Sequence, residues 1–424
     1  MSDSLSERDK RYIWHPYTSL SAPAPVPIVK GRGAYLIDEG DNFYLDAISS
    51  WWVTIHGHAH PYIAERLYRQ ALELEQVIFA NFTHRPAVEL AEYLVAILPL
   101  EVSKVFYSDN GSTATEVAIK MALQYWWNQK ESAGLKRTKI LAFHHGYHGD
   151  TFGAMSISGR SVFTEAFNDK LFDVIFIDTP EAATISQIRS IVEEHAEEIA
   201  AFIYEPLLQG SGGMRMYEPG MLNELLLLCQ QHDIICIADE VMTGFGRTGK
   251  LFASSYMTAI PDIICLSKGL TGGTMALGVT ACNAKIESAF ISEEKMKTFF
   301  HGHSFTANPL ACTAALASID LLLQQDCLDR IDWISASNKE FVKKLEGRAG
   351  IKNARSLGTI AAFELSEGKD GYLNTAGKKL AELLMQQGIF IRPLGNTVYI
   401  MPPYCIREEE LEGLQHAILA AYSA

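Results

Sequence analysis

A lysine stands where burial makes one costly. Lys268 follows the apolar run Ile263-Ile264-Cys265-Leu266 and precedes the glycine-rich stretch Gly269-Leu270-Thr271-Gly272-Gly273. Such a run reads as a buried parallel strand, and at its end desolvation disfavours the ammonium form. A neutral amine attacks carbonyls and forms Schiff bases. Asp239 closes a second apolar run, Ile234-Ile235-Cys236-Ile237-Ala238, and lies 29 positions before Lys268. A carboxylate at one strand end and an amine at another suit pyridoxal 5′-phosphate, whose ring nitrogen needs an acidic partner and whose aldehyde needs a lysine.

Other residues fit the same chemistry. Asp109-Asn110-Gly111-Ser112-Thr113 follows a predicted strand and opens a predicted helix. The amides of Gly111 and Ser112 and the Ser112 hydroxyl are suited to a phosphate. An ordinary N-cap is the plainer reading, and beside Asp239 and Lys268 the phosphate reading is favoured. In His144-His145-Gly146-Tyr147-His148-Gly149, Tyr147 is the candidate to stack on a flat cofactor ring. Arg392, in Ile389-Phe390-Ile391-Arg392-Pro393, suits bidentate binding of a carboxylate, and a surface ion pair is its alternative. Tyr17, Trp51 and Trp52 read either as core or as a ligand wall.

Two competing chemistries fall short. Histidines crowd His56-Gly57-His58-Ala59-His60 and His301-Gly302-His303, the density a zinc hydrolase would use. No acidic residue stands at a typical ligand spacing, and no HExxH occurs. Gly244-Phe245-Gly246-Arg247-Thr248-Gly249 resembles half of a dinucleotide fingerprint, but it follows Asp239-Glu240 rather than a strand directly.

The elements around these residues set the class. The 424 residues are 48% hydrophobic and 20% charged, enough for a large core and for two domains. A net charge of −14 argues against a nucleic-acid surface. Seven cysteines without a CxxC pair read as reduced thiols. The polar start, Met1-Ser2-Asp3-Ser4, is not a signal peptide. No apolar stretch suits a membrane span, and the expected compartment is the cytoplasm. Residues 1–30 look irregular, and segments 34–37 and 42–45 predict a hairpin. Short apolar strands follow at 104–107, 139–143, 173–177, 201–204, 234–238, 263–266 and 278–282, most separated by helices such as 113–127, 184–198 and 220–232. This alternation predicts an α/β fold with a mostly parallel sheet. Beyond residue 330, amphipathic helices and strands at 359–364, 389–392 and 397–401 predict a smaller α+β domain. The expected division is residues 1–55 and 329–424 in the small domain and 56–328 in the large one.

Together these segments resemble the class III aminotransferases, pyridoxal-phosphate enzymes of the type I fold. The motifs are Asp239-Glu240-Val241-Met242-Thr243-Gly244-Phe245-Gly246-Arg247-Thr248-Gly249 and Pro261-Asp262-Ile263 through Ser267-Lys268-Gly269. The resemblance runs over nearly the whole chain. Four stretches are most similar to the branch of the class that builds a vicinal diamine in biotin biosynthesis: Trp14-His15-Pro16-Tyr17; Ser49-Ser50-Trp51-Trp52 with His56-Gly57; His145 through Thr151; and Arg392-Pro393 with Tyr399 through Tyr404.

The resemblance implies a large domain with a mostly parallel seven-stranded sheet, a smaller α+β domain, and a homodimer with two active sites at its interface. It implies ping-pong transamination, in which S-adenosylmethionine gives its amino group to the cofactor and 8-amino-7-oxononanoate receives it. Lys268 would condense with the cofactor and shuttle the proton, Asp239 would pair with the ring nitrogen, and Tyr147 would cover the ring. Gly111 and Ser112 would hold the phosphate, while Gly302, His303 and Ser304 would approach from the other subunit, with Ser304 completing the phosphate cup. Tyr17, Trp52, Arg392 and Tyr399 would form the substrate pocket, with Arg247 and Glu205 in supporting roles.

Two positions depart from the class pattern. Ser304 follows His303 where threonine after proline is usual, so a hydroxyl is kept. Met242 stands where many class III enzymes carry glutamine, which speaks against a general ω-amino acid specificity. The alternatives within the class are an ω-amino acid:pyruvate aminotransferase and a diamine synthase that uses lysine as donor. A pyridoxal-binding regulator would need an added helix-turn-helix domain, for which the N-terminal segment has no room.

Overall fold

The computed structural model describes residues 3–99, 101–129 and 136–422. Its strands, in chain order, begin with β1 Ile28–Arg32, β2 Tyr35–Asp38 and β3 Phe43–Asp46. Next come β4 Val102–Ser108, β5 Lys139–Phe143, β6 Val174–Ile177 and β7 Ile199–Tyr204. The short pair β8 Leu208–Gln209 and β9 Arg215–Met216 is followed by β10 Ile235–Asp239, β11 Ile263–Leu266 and β12 Gly278–Asn283. The last strands are β13 Ile351–Leu357, β14 Ile360–Leu365, β15 Ile389–Phe390 and β16 Thr397–Ile400.

The central sheet has seven strands in the order β4-β12-β11-β10-β7-β5-β6. Strand β12 runs antiparallel to both of its neighbours, and the other described pairings are parallel. Every residue of β7, β10 and β11 is buried. These three sequences are unbroken apolar runs because helices cover both faces of the sheet. Asp239 ends β10 in register with Cys265 of β11, so Lys268 emerges one strand over at the same edge. Glu205 follows β7, and Asn110 caps the helix Gly111–Asn128 after β4. Chemistry-bearing residues thus gather outside the carboxyl ends of the parallel strands, where open α/β sheets bind ligands.

The predicted hairpin forms, with β2 antiparallel to β3. Parallel pairing of β15 with β3 joins the chain's beginning to its end in one four-stranded sheet. A three-stranded sheet, β13-β14-β16, completes this region.

Three expectations differ from the structure. Residues 1–30 are not irregular throughout: Leu5–Tyr12 is a helix, and β1 extends the hairpin. That helix buries nothing and is started by a capping box in which Ser4 and Glu7 bond reciprocally. Strand β1 is an edge with mostly exposed residues, so it lacks the apolar alternation that marks half-buried strands. The strand expected at 389–392 stops at Phe390, ahead of Pro393, which has no amide to donate to a ladder. The helix expected at 184–198 spans Ile185–Glu194.

Candidate active site

A cavity of about 510 Å³ opens at the strand ends, with Lys268, Asp239, Tyr147, Gly111 and Ser112 on its wall. Lys268 begins a single 3₁₀ turn after β11 and holds a left-handed φ of 49°. Its Nζ lies 4.6 Å from the centroid of the Trp52 ring. Burial pulls its pKa down to about 8, against the opposing pull of Asp239 and Glu205, while Arg247 lowers it further.

Asp239 is buried and held on both oxygens. Nδ1 of the buried His148 donates to its Oδ2 at 2.7 Å, and the Val241 amide donates to its Oδ1 at 3.1 Å. A carboxylate has about four lone-pair sites, so Asp239 keeps accepting capacity toward the cavity it lines. Behind it, Glu205 is pushed up to about 7 by burial, with His148 drawing it down and Asp239 pushing it up. Its carboxylate accepts the Tyr147 amide and the Gly210 amide, both at 2.9 Å. Tyr147 is therefore fixed through its backbone by an acid buried beneath it.

The turn after β4 is both a cap and an anion cradle. Asn110 Oδ1 accepts the Thr113 amide at 3.0 Å, and Thr113 Oγ1 accepts the Asn110 amide at 3.1 Å. The first-turn amides of Gly111 and Ser112 have no acceptor within the helix. Ser112 Oγ accepts the Asp150 amide at 2.9 Å and still has its own proton to give. A Cβ at Gly111 would lie 2.7 Å from Val241 Cγ1, and one at Gly149 would collide with Ser112. Side chains at either position would fill the cradle. These open amides, a hydroxyl, a facing carboxylate and a partly neutral lysine together fit pyridoxal 5′-phosphate, with its phosphate, ring nitrogen and aldehyde.

A second space of about 240 Å³ continues outward from Lys268 to Arg392, past Trp52, Tyr147, Tyr17 and Tyr399. Trp52 Nε1 donates to the Tyr399 hydroxyl at 2.8 Å. The Trp52 backbone takes φ of 70°, and its carbonyl accepts from the buried Arg247 guanidinium at 3.3 Å. Arg247 also donates to the Pro402 carbonyl at 3.0 Å, so it braces the wall rather than facing the cavity. The Arg392 guanidinium stacks on Trp51, 4.0 Å from the ring centroid. Tyr17 donates to Asp150 Oδ2, and its hydroxyl lies 3.0 Å from that of Tyr147.

Gly302, His303 and Ser304 do not line either space in the protomer. They sit on a loop where the Ser304 carbonyl accepts from Gln76 and His303 Nδ1 accepts the Phe305 amide at 3.2 Å. The crowded histidines separate into individual partners: His56 on Ser318, His58 on Asp46 and His148 on Asp239. Among the described residues no group of three or more His, Cys, Asp or Glu could hold a metal ion, and no helix is long and apolar enough to cross a membrane.

His148, Asp150, Phe163 and Tyr372 also line these spaces, although none is among the candidate residues above. His148 and Asp150 lie in a stretch already singled out, and only the pairing partners across the fold were missing. Phe163 and Tyr372 stand in unremarkable loops, with no periodic or motif signal to mark them.

Comparison with known proteins agrees with this geometry. The family model described as aminotransferase class-III matches residues 17–421. An adenosylmethionine-8-amino-7-oxononanoate aminotransferase from Synechococcus elongatus is 44% identical over 420 residues, covering 96% of this chain and 97% of that relative. The crystal structure of the enzyme of that name from Methanocaldococcus jannaschii superposes with a TM-score of 0.94 at 37% identity, covering 99% of this chain and 98% of the other. An omega transaminase from Pseudomonas jessenii, solved in complex with PMP, superposes at 0.92 with 27% identity, covering 99% of this chain and 97% of the other. With its lysine and carboxylate at adjoining strand ends of a type I fold, this chain belongs to the class III aminotransferases.

Proposed function

We propose that this chain transfers the amino group of S-adenosylmethionine to 8-amino-7-oxononanoate, giving 7,8-diaminononanoate, with pyridoxal 5′-phosphate as its cofactor. The observation that carries this reading is the continuous passage from Lys268 to Arg392, walled by Trp52, Tyr147 and Tyr399. The names borne by the Synechococcus and Methanocaldococcus relatives support it.

When bound, the cofactor supplies an aldehyde for the amine and a protonated ring that draws electrons from the substrate carbon. Asp239 would pair with the ring nitrogen, and the His148 hydrogen bond to Oδ2 holds its carboxylate in place. Lys268 Nζ, with its pKa near 8, is poised to take a proton from the substrate carbon and give it back. Gly111 and Ser112 would hold the phosphate, and Tyr147 would cover the ring. Arg392 would receive a substrate carboxylate through paired hydrogen bonds. Aromatic walls serve a nucleoside and an aliphatic chain alike, since stacking and apolar burial use the same ring faces.

The assembly is proposed to be a homodimer in the cytoplasm. Gly302, His303 and Ser304 would enter the partner's cavity, with Ser304 giving a hydroxyl to the phosphate there. Phe300 and Phe305, both 63% exposed beside that loop, support an apolar contact with another chain.

Mixing the protein with cofactor, 8-amino-7-oxononanoate and one amino donor at a time, then detecting diamine by mass spectrometry, tests this reading. S-adenosylmethionine should give product, and alanine should not. Product from lysine alone would move the donor assignment, and product from no donor would overturn the reaction.

A further inference from the structure

Phe163 meets three tyrosines at steep angles around the mouth of the outer space. Its ring centroid lies 5.5 Å from that of Tyr17 at 88°, 6.4 Å from Tyr147 at 72° and 4.6 Å from Tyr372 at 70°. Asp150, which accepts the Tyr17 hydroxyl, puts a carboxylate on the same wall. The Arg392 guanidinium lines the same space, stacked on Trp51, whose ring centroid lies 5.5 Å from that of Tyr17. The space therefore brings together an aromatic corner, a carboxylate and a cation.

The corner is built rather than incidental. Tyr372 is carried by a loop that the buried Asn396 grips: Asn396 accepts the Gly371 amide at 3.0 Å and donates to Asp370 Oδ1 at 2.8 Å and to the Leu365 carbonyl at 3.1 Å. Lys352 pairs with Asp370 at 2.7 Å from outside. Asn396 directly precedes β16, the strand that carries Tyr399. One strand thus sets both the inner wall, through Tyr399 and Trp52, and the outer corner, through Asn396 and Tyr372.

Steeply crossed aromatic rings beside a carboxylate are the chemistry that recognises an onium cation, because ring faces carry negative potential and do not demand hydrogen-bond donors. A sulfonium has no N–H to give, so it gains from such a corner what a hydrogen-bond acceptor alone offers less well. We propose that Phe163 and Tyr372, with Tyr17 and Asp150, form a cage for the sulfonium of the amino donor and so select it. The cage rests on the donor named above and extends it to particular residues. The donor's carboxylate then lies toward Arg392, so that each charge of the zwitterion meets its opposite on the wall.

The test uses two unreactive nucleosides that differ in charge: 5′-deoxy-5′-(dimethylsulfonio)adenosine and 5′-methylthioadenosine. Calorimetry on the holoenzyme should show the sulfonium binding roughly tenfold tighter than the thioether, the size expected of a partly desolvated cation on aromatic faces. Phe163→Leu and Tyr372→Leu should each reduce that ratio toward one while leaving the thioether's Kd within about threefold, since leucine keeps apolar cover without a π face. Phe163→Tyr should retain the ratio. Equal affinity in the wild type, an unchanged ratio in both leucine variants, or an equal loss for both ligands would overturn the cage. Diamine formation is scored separately. A protein that discriminates the sulfonium but makes no diamine keeps the cage and loses the reaction. One that makes diamine without discriminating loses the cage alone.

Discussion

His148 Nδ1 donates to Asp239 Oδ2 at 2.7 Å, both residues being buried. The bond joins a loop after β5 to the end of β10, across the intervening β7. Among the described residues His148 Nε2 has no hydrogen-bond partner, so the imidazole spends its one good donor on the carboxylate. His148→Ala should therefore loosen Asp239 without emptying the cradle. Loss of a hydrogen bond to a charged group costs about 1.5–3 kcal/mol. Thermal unfolding should show that loss, and cofactor affinity should fall with it. A melting temperature and a cofactor Kd equal to the wild type would remove His148 from this role.

Lys268→Ala should retain part of the cofactor binding, which Asp239 and the Gly111–Ser112 amides still offer. Turnover should fall by at least ~10²–10⁴, the usual contribution of a positioned acid–base group. Borohydride reduction followed by peptide mass mapping should label position 268 in the wild type and nowhere in the variant.

Arg392→Ala should weaken carboxylate-bearing substrates by about 2–5 kcal/mol if the ion pair is desolvated. Steady-state kinetics read this as a raised KM. An unchanged KM for both donor and acceptor would place the carboxylate elsewhere.

Trp52→Phe keeps a ring under Lys268 and removes the donor to Tyr399. The Tyr399 hydroxyl, fully buried, is left short of a partner, which costs about 1–3 kcal/mol. Tyr399→Phe should cost a similar amount, and the double variant less than the two together, because each single change strands the other's polar group. Additive losses in chemical denaturation would contradict that coupling.

Removing the cofactor exposes the effect of Lys268 on stability. Its folded pKa, about 8, lies below the ordinary value of 10.5. Between these values the unfolded chain holds the proton that the folded one has released, so this group's contribution rises with pH across that window. It is lost as pH falls through 8. Cofactor-free Lys268→Met should be more stable than the wild type below pH 8, and the gap should close toward pH 10.5. Denaturant titrations at several pH values check the slope, and a gap that does not change with pH would refute the assignment.

Much of this protein could be read from its residues in line. Unbroken apolar runs announced the buried strands, since a strand covered on both faces has no polar side to alternate. The helix that Ser4 caps was not read from the sequence, because a polar segment that buries nothing carries no apolar period. Lys268 and Asp239 were legible because each charged group ends such a run, and class III membership followed from the motifs that hold them. Three-dimensional packing decided the rest. Which residue braces Asp239 depends on His148 reaching across the sheet, a distance of 91 positions in the chain. The outer corner joins Phe163 to Tyr372, 209 positions apart, through loops whose sequences carry no period. Local pattern records which face a residue buries; it does not record the partner that lies against that face, because that partner is set by how distant elements pack together.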